Sequence, residues 1–220
     1  KHFERVTACL TRDDDLRSPA AHAAFARLLE RRREGLIVSV GGGPLRVATG
    51  ITNLNIIFDK NVDVVATAYQ LPFADGSLAG VHCEAVLEHL EFPDAAVIEM
   101  ARVLHIGGLV FAATPFLQPY HAYPDHYQNF TLRGHTRLFE RAGFSVLEAG
   151  TCVGPTFAAV DLAANYAREI LPTRVLSRGV ERLVRLIGRA ARLADIRATA
   201  LPQSSQICST TYVLAEKRAR

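Results

Sequence analysis

The sequence has no tryptophan, a single methionine, and no apolar run near the roughly 20 residues that a membrane-spanning helix needs. Its first residues also lack the succession of basic, apolar and small residues that marks a signal peptide. The four cysteines are too widely spaced for a zinc motif or a short disulfide framework, which favours free thiols. We therefore expect a cytoplasmic protein.

A strong charge of one sign is also missing. The formal net charge is +3 over 220 residues, which is too small to indicate a nucleic-acid partner. Apolar residues make up 49% of the chain, enough for a core, and the length suits one large domain or a domain with a lid.

Seven short apolar segments are predicted to be strands. They lie at residues 36–40, 54–58, 62–66, 80–83, 109–113, 144–148 and 210–214. Helices are predicted at 15–34, at 95–104 behind an Asp94 cap, and from a Thr131 cap to Ala142. The alternation favours an α/β fold with a mostly parallel sheet covered on both faces. Too little chain separates Gly43 from Leu54 for a full crossover helix, so we expect an abbreviated one.

The first predicted strand ends in Gly41-Gly42-Gly43. Glycines after a strand permit a tight turn and let backbone N–H groups approach a ligand. Such a loop also occurs as a plain turn with no ligand. A dinucleotide motif would have a third glycine where Leu45 stands, which disfavours a nicotinamide cofactor.

The segment from 37 to 143 contains further motifs in a definite order. They are Ile37–Gly43, Ala66–Ala68, Leu71–Ser77, Val86–His89, Arg102–Gly108 and Leu138–Phe144. In this order and at these spacings, the chain resembles the class I S-adenosylmethionine (SAM)-dependent methyltransferases, in their small-molecule branch. The resemblance implies a Rossmann-like, doubly wound, seven-stranded sheet that is mostly parallel with an antiparallel edge strand. It also implies SAM as the cofactor.

The resemblance also implies positions for the cofactor. Gly41, Gly42 and Gly43 would lie beneath the methionine part of SAM. Either Asn55 or Asp59 would bind the ribose hydroxyls, since two alignments compete there. Three further residues would contact the cofactor, two beside the adenine and one where the fourth strand ends: Thr67, Ala68 and Glu84.

Several residues depart from the family pattern. Ser39 stands where the first strand usually carries an acid, Thr67 replaces the acid near the adenine, and Leu78-Ala79 replaces an aromatic-acid pair. These departures motivate a second hypothesis, a binding or scaffold protein that has the methyltransferase fold without catalysis. A nicotinamide-dependent oxidoreductase is a third.

Residues 114–130 form a predicted loop rich in histidine and tyrosine, beyond the carboxyl end of the fifth strand. Ligands bind at that edge in open α/β sheets, so the methyl acceptor is expected here. His121 and His126 are candidate bases, with Asp125 as an orienting partner or second base. The acceptor pocket would be lined by the loop's tyrosines, Tyr120, Tyr123 and Tyr127. The other interpretation is a loop of packed aromatics and solvated histidines.

The same residues, with or without His89, invite a metal interpretation, because two histidines and a carboxylate can bind a divalent ion. Nothing in the sequence fixes their geometry, so no metal is expected. For His89 itself, a structural hydrogen bond near the site is favoured over a catalytic role.

Residues 154–196 interrupt the strand pattern. Their second half, 175–194, is a predicted amphipathic helix with one apolar and one basic stripe. The apolar stripe is Leu176, Val180, Leu183, Ile187 and Ala191, and the basic stripe is Arg178, Arg182, Arg185, Arg189 and Arg192. We favour a lid whose apolar side packs on the domain, ahead of a homodimer contact and of docking on an anionic membrane.

The predicted organisation is one methyltransferase-like domain. An N-terminal helical segment covers 1–35, the cofactor-binding core 36–153, a helical lid or insertion 154–196, and the last strand 206–216. The predicted function is SAM-dependent methyl transfer to a hydroxyl of a small acceptor. The similarity of the 114–130 loop to loops in bacterial glycan and natural-product methyltransferases favours a sugar or a secondary metabolite.

Overall fold

The computed structural model describes residues 16–43, 46–121 and 124–219, with the side chains of residues 185 and 189–193 left out. Seven strands form one sheet in the order β3-β2-β1-β4-β5-β7-β6. The strands are β1 Leu36–Val40, β2 Thr52–Asn55, β3 Val64–Val65, β4 Leu78–Glu84, β5 Leu104–Pro115, β6 Phe144–Val153 and β7 Thr210–Lys217. Strands β1 to β5 pair in parallel, and β7 runs antiparallel between β5 and the edge strand β6. The predicted fold class is confirmed.

Helices cover both faces of this sheet. Those on the sheet are α1 Pro19–Glu30, α2 Pro93–Val103 and α3 Leu132–Arg141, whereas α4 Pro155–Ile170 and α5 Arg174–Ala198 pack mainly against each other. Apolar residues of α1 pack with Ile37 and Phe111 on one face, whereas those of α2 and α3 pack with Val81 and Val110 on the other. The middle strands are therefore buried on both sides, which explains why they are continuous apolar runs.

Two helix caps test the sequence predictions. Thr131 caps α3 as predicted, because its hydroxyl accepts a hydrogen bond from the Gly134 amide at 3.1 Å. The predicted Asp94 cap is wrong. Helix α2 begins at Pro93, two residues before its predicted start, and the proline ring presets the first helical φ. The Asp94 side chain pairs with Arg141 instead.

Strand boundaries differ most at β2 and β5. β2 ends at Asn55 rather than Phe58, because the Asn55 side-chain oxygen accepts from the Ile57 amide at 3.3 Å and turns the chain. β5 begins at Leu104, five residues before its predicted start, and runs through both glycines. Between the glycine loop and β2, residues 46–51 contain turns and bends but no helix.

The helix from 175 to 194 exists, as part of α5, but its apolar stripe does not pack on the domain as predicted. Leu176, Leu183 and Ile187 are each about half exposed. Helix α5 packs against α4 instead, and it comes so close that a β-carbon on Gly188 would lie 2.5 Å from Val160. Ala191 and the arginines at 185, 189 and 192 lie outside the described side chains.

The two helices form a hairpin joined at its base by Asp195. Its carboxylate accepts from the amides of Thr156 at 2.9 Å and Phe157 at 3.3 Å, so the end of α5 caps the start of α4. Among the described helices, none combines the length and apolar character needed to cross a bilayer.

Candidate functional site

The glycine loop follows β1 at the carboxyl edge of the sheet. Gly41 and Gly43 have φ of 69° and 59°, a region that favours glycine. A β-carbon on Gly42 would lie 1.7 Å from the Asn53 side-chain oxygen, whereas one on Gly43 would meet none of the described residues within 4 Å. The loop is thus fixed from below at Gly42 and faces open space at Gly43.

Asn53 of β2 holds this loop in place. Its buried amide nitrogen donates to the backbone oxygens of Gly43 at 3.0 Å and Asn61 at 2.8 Å. Its side-chain oxygen has no hydrogen-bond partner among the described residues. The sequence analysis did not single out Asn53, although a polar residue in a buried strand is a signal that could have found it.

The two ribose candidates lie in different places. Asn55 is the last residue of β2, and the pairing of Val40 with Leu54 puts it beside the start of the glycine loop. Asp59 lies four residues beyond the strand, where its carboxylate accepts from the Asn61 amide at 3.2 Å. Each side chain keeps a polar atom for which no partner is described.

Thr67 and Ala68 follow β3. Thr67 is exposed, and its backbone forms an isolated bridge with Gln70. Ala68 is buried in the core beneath the sheet edge. The structure thus presents Thr67 at the surface and uses Ala68 for packing.

A buried polar network occupies the position of the missing acid on β1. The Ser39 hydroxyl lies 3.0 Å from His82 Nδ1, because the two residues are register partners on β1 and β4. His82 Nε2 lies 3.2 Å from Glu84, which also pairs with Arg17 at 2.5 Å. Burial alone would raise the pKa of Glu84, but His82 and Arg17 outweigh it and lower the pKa to about 2.

Glu84 is therefore a charged residue that already has two internal partners. The sequence analysis proposed Glu84 as a cofactor contact and missed His82. A histidine within a predicted apolar strand was the signal that could have found it. The Arg17 guanidinium also lies 4.6 Å from the centre of the Phe25 ring, which further fixes the network under α1.

Glu88 is the third residue missed, and it lies at the centre of the site. It follows Ala85, whose φ of 55° is unusual for a residue with a side chain, in a short helical turn from Leu87 to His89. Its side chain is fully buried. One carboxylate oxygen accepts from the Thr114 hydroxyl at 3.1 Å, and for the other, Oε1, the described part of the chain offers no hydrogen-bond partner.

Two histidines face this unpartnered oxygen. His89 Nε2 lies 3.7 Å from Glu88 Oε1, and His121 Nε2 lies 3.9 Å from it. Burial raises the pKa of Glu88 to about 7 and lowers the pKa of both imidazoles, which also repel one another. We call these three residues the Glu88 cluster.

His126 lies beside the cluster but has both nitrogens engaged. Its Nδ1 accepts from the His121 amide at 3.2 Å, so Nε2 carries the proton and donates to Asn129 at 2.8 Å. Tyr120 stacks on the His126 ring. His126 thus supports the backbone of His121.

Asp125 contributes its backbone. Its carbonyl oxygen accepts from His89 Nδ1 at 2.6 Å, while its side chain is exposed. Within the described part of the chain, no hydrogen bond joins the Asp125 carboxylate to a histidine. Tyr127 is exposed, and Tyr123 lies outside the described residues.

Two depressions flank the 114–130 loop. The smaller, of about 230 Å³, is lined by residues of the loop itself, among them Tyr120 and His126. The larger, of about 670 Å³, lies at the start of α3 between Phe116 and Gln206 and contains no member of the Glu88 cluster. The Glu88 cluster thus lies next to the smaller depression.

The order of the strands, the glycine loop after β1 and the polar residues at the carboxyl edge define the fold. The fold is that of the class I methyltransferases, as the sequence motifs predicted. Residues 49–112, which run from the turn before β2 into β5, match the family model described as a methyltransferase domain.

Comparison with known proteins gives the same class. The chain is 46% identical over 59 residues to an uncharacterized chloroplastic methyltransferase of Arabidopsis thaliana. That match covers 27% of this chain and 16% of the relative, so it spans a small part of the relative's length.

Solved structures share the fold across nearly the whole chain. The 1,6-didemethyltoxoflavin-N1-methyltransferase of Burkholderia thailandensis has 13% identity and a TM-score of 0.54, over 92% of this chain and 80% of its own. The [4+2]-cyclase SpnF has 18% identity and a TM-score of 0.54, over 95% and 86%. A phosphoethanolamine N-methyltransferase of Haemonchus contortus has 12% identity and a TM-score of 0.51, over 88% and 53%.

Proposed function

We propose that this chain is a SAM-dependent methyltransferase that transfers the methyl group to a hydroxyl oxygen of a small molecule, a sugar or a secondary metabolite. The methyltransferase-domain match over residues 49–112 supports the first part. The Glu88 cluster carries the second, because it presents unpartnered acceptor atoms at the sheet edge where acceptors bind.

The described residues fit SAM in part. Gly43 faces open space, so its backbone leaves room for the methionine part of the cofactor, with Gly41 and Gly42 forming the rest of the turn. Asn55 is our first choice for the ribose because it ends β2 beside this loop, and Asp59 is the second. For Thr67 we propose a position beside the adenine. Glu84 already pairs with Arg17 and His82, so we propose that it holds these two side chains in place rather than contacting the cofactor directly.

SAM supplies an electrophilic methyl group on a sulfonium when bound. The chain must then align the acceptor and receive the proton of its hydroxyl. His121 Nδ1 donates to the Pro119 carbonyl at 2.9 Å, which leaves Nε2 as an acceptor beside Glu88 Oε1. A hydroxyl donating into this pair is oriented and loses its proton to the cluster. An amine nucleophile has less need of such a group, which is why we favour oxygen.

Binding calorimetry with SAM, S-adenosylhomocysteine and NADP tests the cofactor assignment. We expect micromolar binding of the first two and none of NADP. Binding of NADP alone would overturn the proposal in favour of an oxidoreductase.

A non-methylating protein on the same fold is the second candidate. It is favoured by a specific comparison, since the structural relative SpnF is a [4+2]-cyclase rather than a methyltransferase. Binding of S-adenosylhomocysteine without methyl transfer from radiolabelled SAM to any member of a hydroxylated acceptor panel would favour this candidate. Transfer to oxygen in that panel would exclude it, and transfer only to amines would replace oxygen with nitrogen.

The remaining predictions concern partners and location. A small-molecule acceptor and the absence of a nucleic-acid partner are consistent with the proposal. Because apolar residues of α5 are exposed, a homodimer contact and membrane docking stay predictions. The cytoplasmic location also stays a prediction. The single-domain organisation also stays a prediction.

A further inference from the structure

We infer that the Glu88 cluster is a binding site for one divalent transition-metal ion, with Glu88, His89 and His121 as its ligands. This departs from the expectation of no metal drawn from the sequence. One ligand atom from each residue lies within 4.8 Å of the others. Two imidazoles and one carboxylate are a ligand set that suits zinc, iron, cobalt or manganese.

The hydrogen bonds of the histidines fix which nitrogen faces the cluster. His89 Nδ1 lies 2.6 Å from the Asp125 carbonyl, and His121 Nδ1 lies 2.9 Å from the Pro119 carbonyl. A carbonyl oxygen only accepts, so both Nδ1 atoms carry the proton. Both Nε2 atoms therefore present lone pairs. Backbone carbonyls hold metal-binding histidines in this way and fix their orientation.

Glu88 supplies the second, independent observation. Its carboxylate is fully buried, and Oε1 has no hydrogen-bond partner among the described residues although both Nε2 atoms face it. Three acceptor atoms that face one another repel unless a cation lies between them. Burial of an unpartnered carboxylate oxygen is costly, and a metal ion removes that cost.

The distances suit a small contraction on binding. Metal–ligand bonds of about 2.0–2.2 Å in a tetrahedral site put ligand atoms ~3.4 Å apart. The carboxylate-to-imidazole distances are 3.7 and 3.9 Å and the ligand atoms of the two imidazoles lie within 4.8 Å of each other, so the ligand atoms need to approach one another by at most about 1.4 Å. The rings of His89 and His121 are nearly perpendicular, at 87°, and their centroids lie 5.2 Å apart.

Three protein ligands leave a coordination position open, as in catalytic rather than structural metal sites. An acceptor hydroxyl bound there would be acidified by the ion, which would replace an imidazole as the activating group. This role rests on the proposed function, whereas metal binding itself does not.

Metal binding is tested on the full chain, purified with no histidine tag and stripped with a chelator. Titration with Zn²⁺ and Co²⁺, against a chromophoric chelator and by calorimetry, should show one ion per chain. Glu88→Gln and His121→Ala should each weaken binding by about 100-fold or more, since the first removes the negative charge of a ligand and the second removes a ligating imidazole. His105→Ala is the matched control, because His105 lies at the opposite edge of the sheet and should leave the affinity unchanged.

His121 lies in a loop, so its removal decides the question even if Glu88→Gln fails to fold. The visible spectrum of the Co²⁺ form adds a readout of the ligands, and it should change in His121→Ala but not in His105→Ala. Absence of stoichiometric binding to the folded wild type, or equal affinity in His121→Ala, would overturn the metal site. Metal binding without binding of S-adenosylhomocysteine would keep the site and overturn the proposed function.

Discussion

Asn53 lies directly against Gly42, so that any side chain at position 42 would occupy the space of the Asn53 carboxamide. The same carboxamide donates to the Gly43 carbonyl and thereby sets the path of the loop. A side chain of the neighbouring strand β2 thus determines the shape of the glycine loop, which we propose binds the cofactor.

The first prediction concerns this pair. Gly42→Ala should lower the free energy of unfolding by about 1–3 kcal/mol, because the added methyl overpacks the loop against Asn53. Asn53→Ala should also destabilise, through two lost hydrogen bonds. In the double variant the severe clash with Asn53 is gone and only the 2.9 Å approach to the Ser39 hydroxyl remains, so its loss should be smaller than the sum of the two. Urea unfolding of all four proteins measures this, and strict additivity would contradict it.

The second prediction separates ligand binding from backbone strain. Gly43 and Gly107 both have positive φ, and a β-carbon on either would meet no atom within 4 Å. Gly43→Ala and Gly107→Ala should therefore destabilise the fold alike. Gly43→Ala alone should weaken binding of S-adenosylhomocysteine, by 10-fold or more, about 1.4 kcal/mol, because its methyl points into the space above the loop. Equal affinities in calorimetry would remove Gly43 from the cofactor site.

The third prediction concerns Arg17 and Glu84. Arg17→Met leaves a mostly buried carboxylate with His82 alone, and we expect a loss of about 2 kcal/mol. That is less than the ~3–5 kcal/mol of a fully buried pair, because the Glu84 side chain keeps 28% exposure. Arg17→Met combined with Glu84→Gln should recover part of the loss. Chemical unfolding checks this, and a double variant as unstable as the sum of both would refute it.

The same pair predicts a dependence on acid. The pKa of Glu84 is about 2 in the folded chain, below its ordinary value of 4.5. Its contribution to stability is therefore complete above about pH 4.5 and is lost as the pH falls toward 2. Arg17→Met should have a shallower loss of melting temperature over that range than the wild type.

The fourth prediction concerns His135 of α3, which is fully buried between Phe130 and Phe139. Burial lowers its pKa from 6.5 to about 3. As the pH falls below 6.5, His135 therefore binds a proton in the unfolded chain but stays neutral in the folded chain. The free energy of unfolding consequently decreases as the pH drops below 6.5. His135→Leu should lose less melting temperature between pH 7.5 and 5.5 than the wild type. His105→Leu is the control, and an unchanged slope in His135→Leu would contradict the assignment.

The local pattern of the sequence was sufficient for much of the fold. Buried strands read as apolar runs, Thr131 was correctly expected to cap α3, and the motif order predicted the methyltransferase class. The boundaries that failed, at Asn55, Pro93 and Leu104, depend on single side-chain contacts and on strand pairing between distant segments. Propensity and periodicity do not contain that information.

The site shows the same division. The sequence by itself determined that glycines follow β1 and that histidines populate the loop after β5, since these are statements about neighbours along the chain. Only the tertiary structure brought Glu88 of one connection against His121 of another and engaged both nitrogens of His126. Which of several polar residues keeps a free lone pair depends on its spatial partners, and those are set by how the strands order themselves in the sheet.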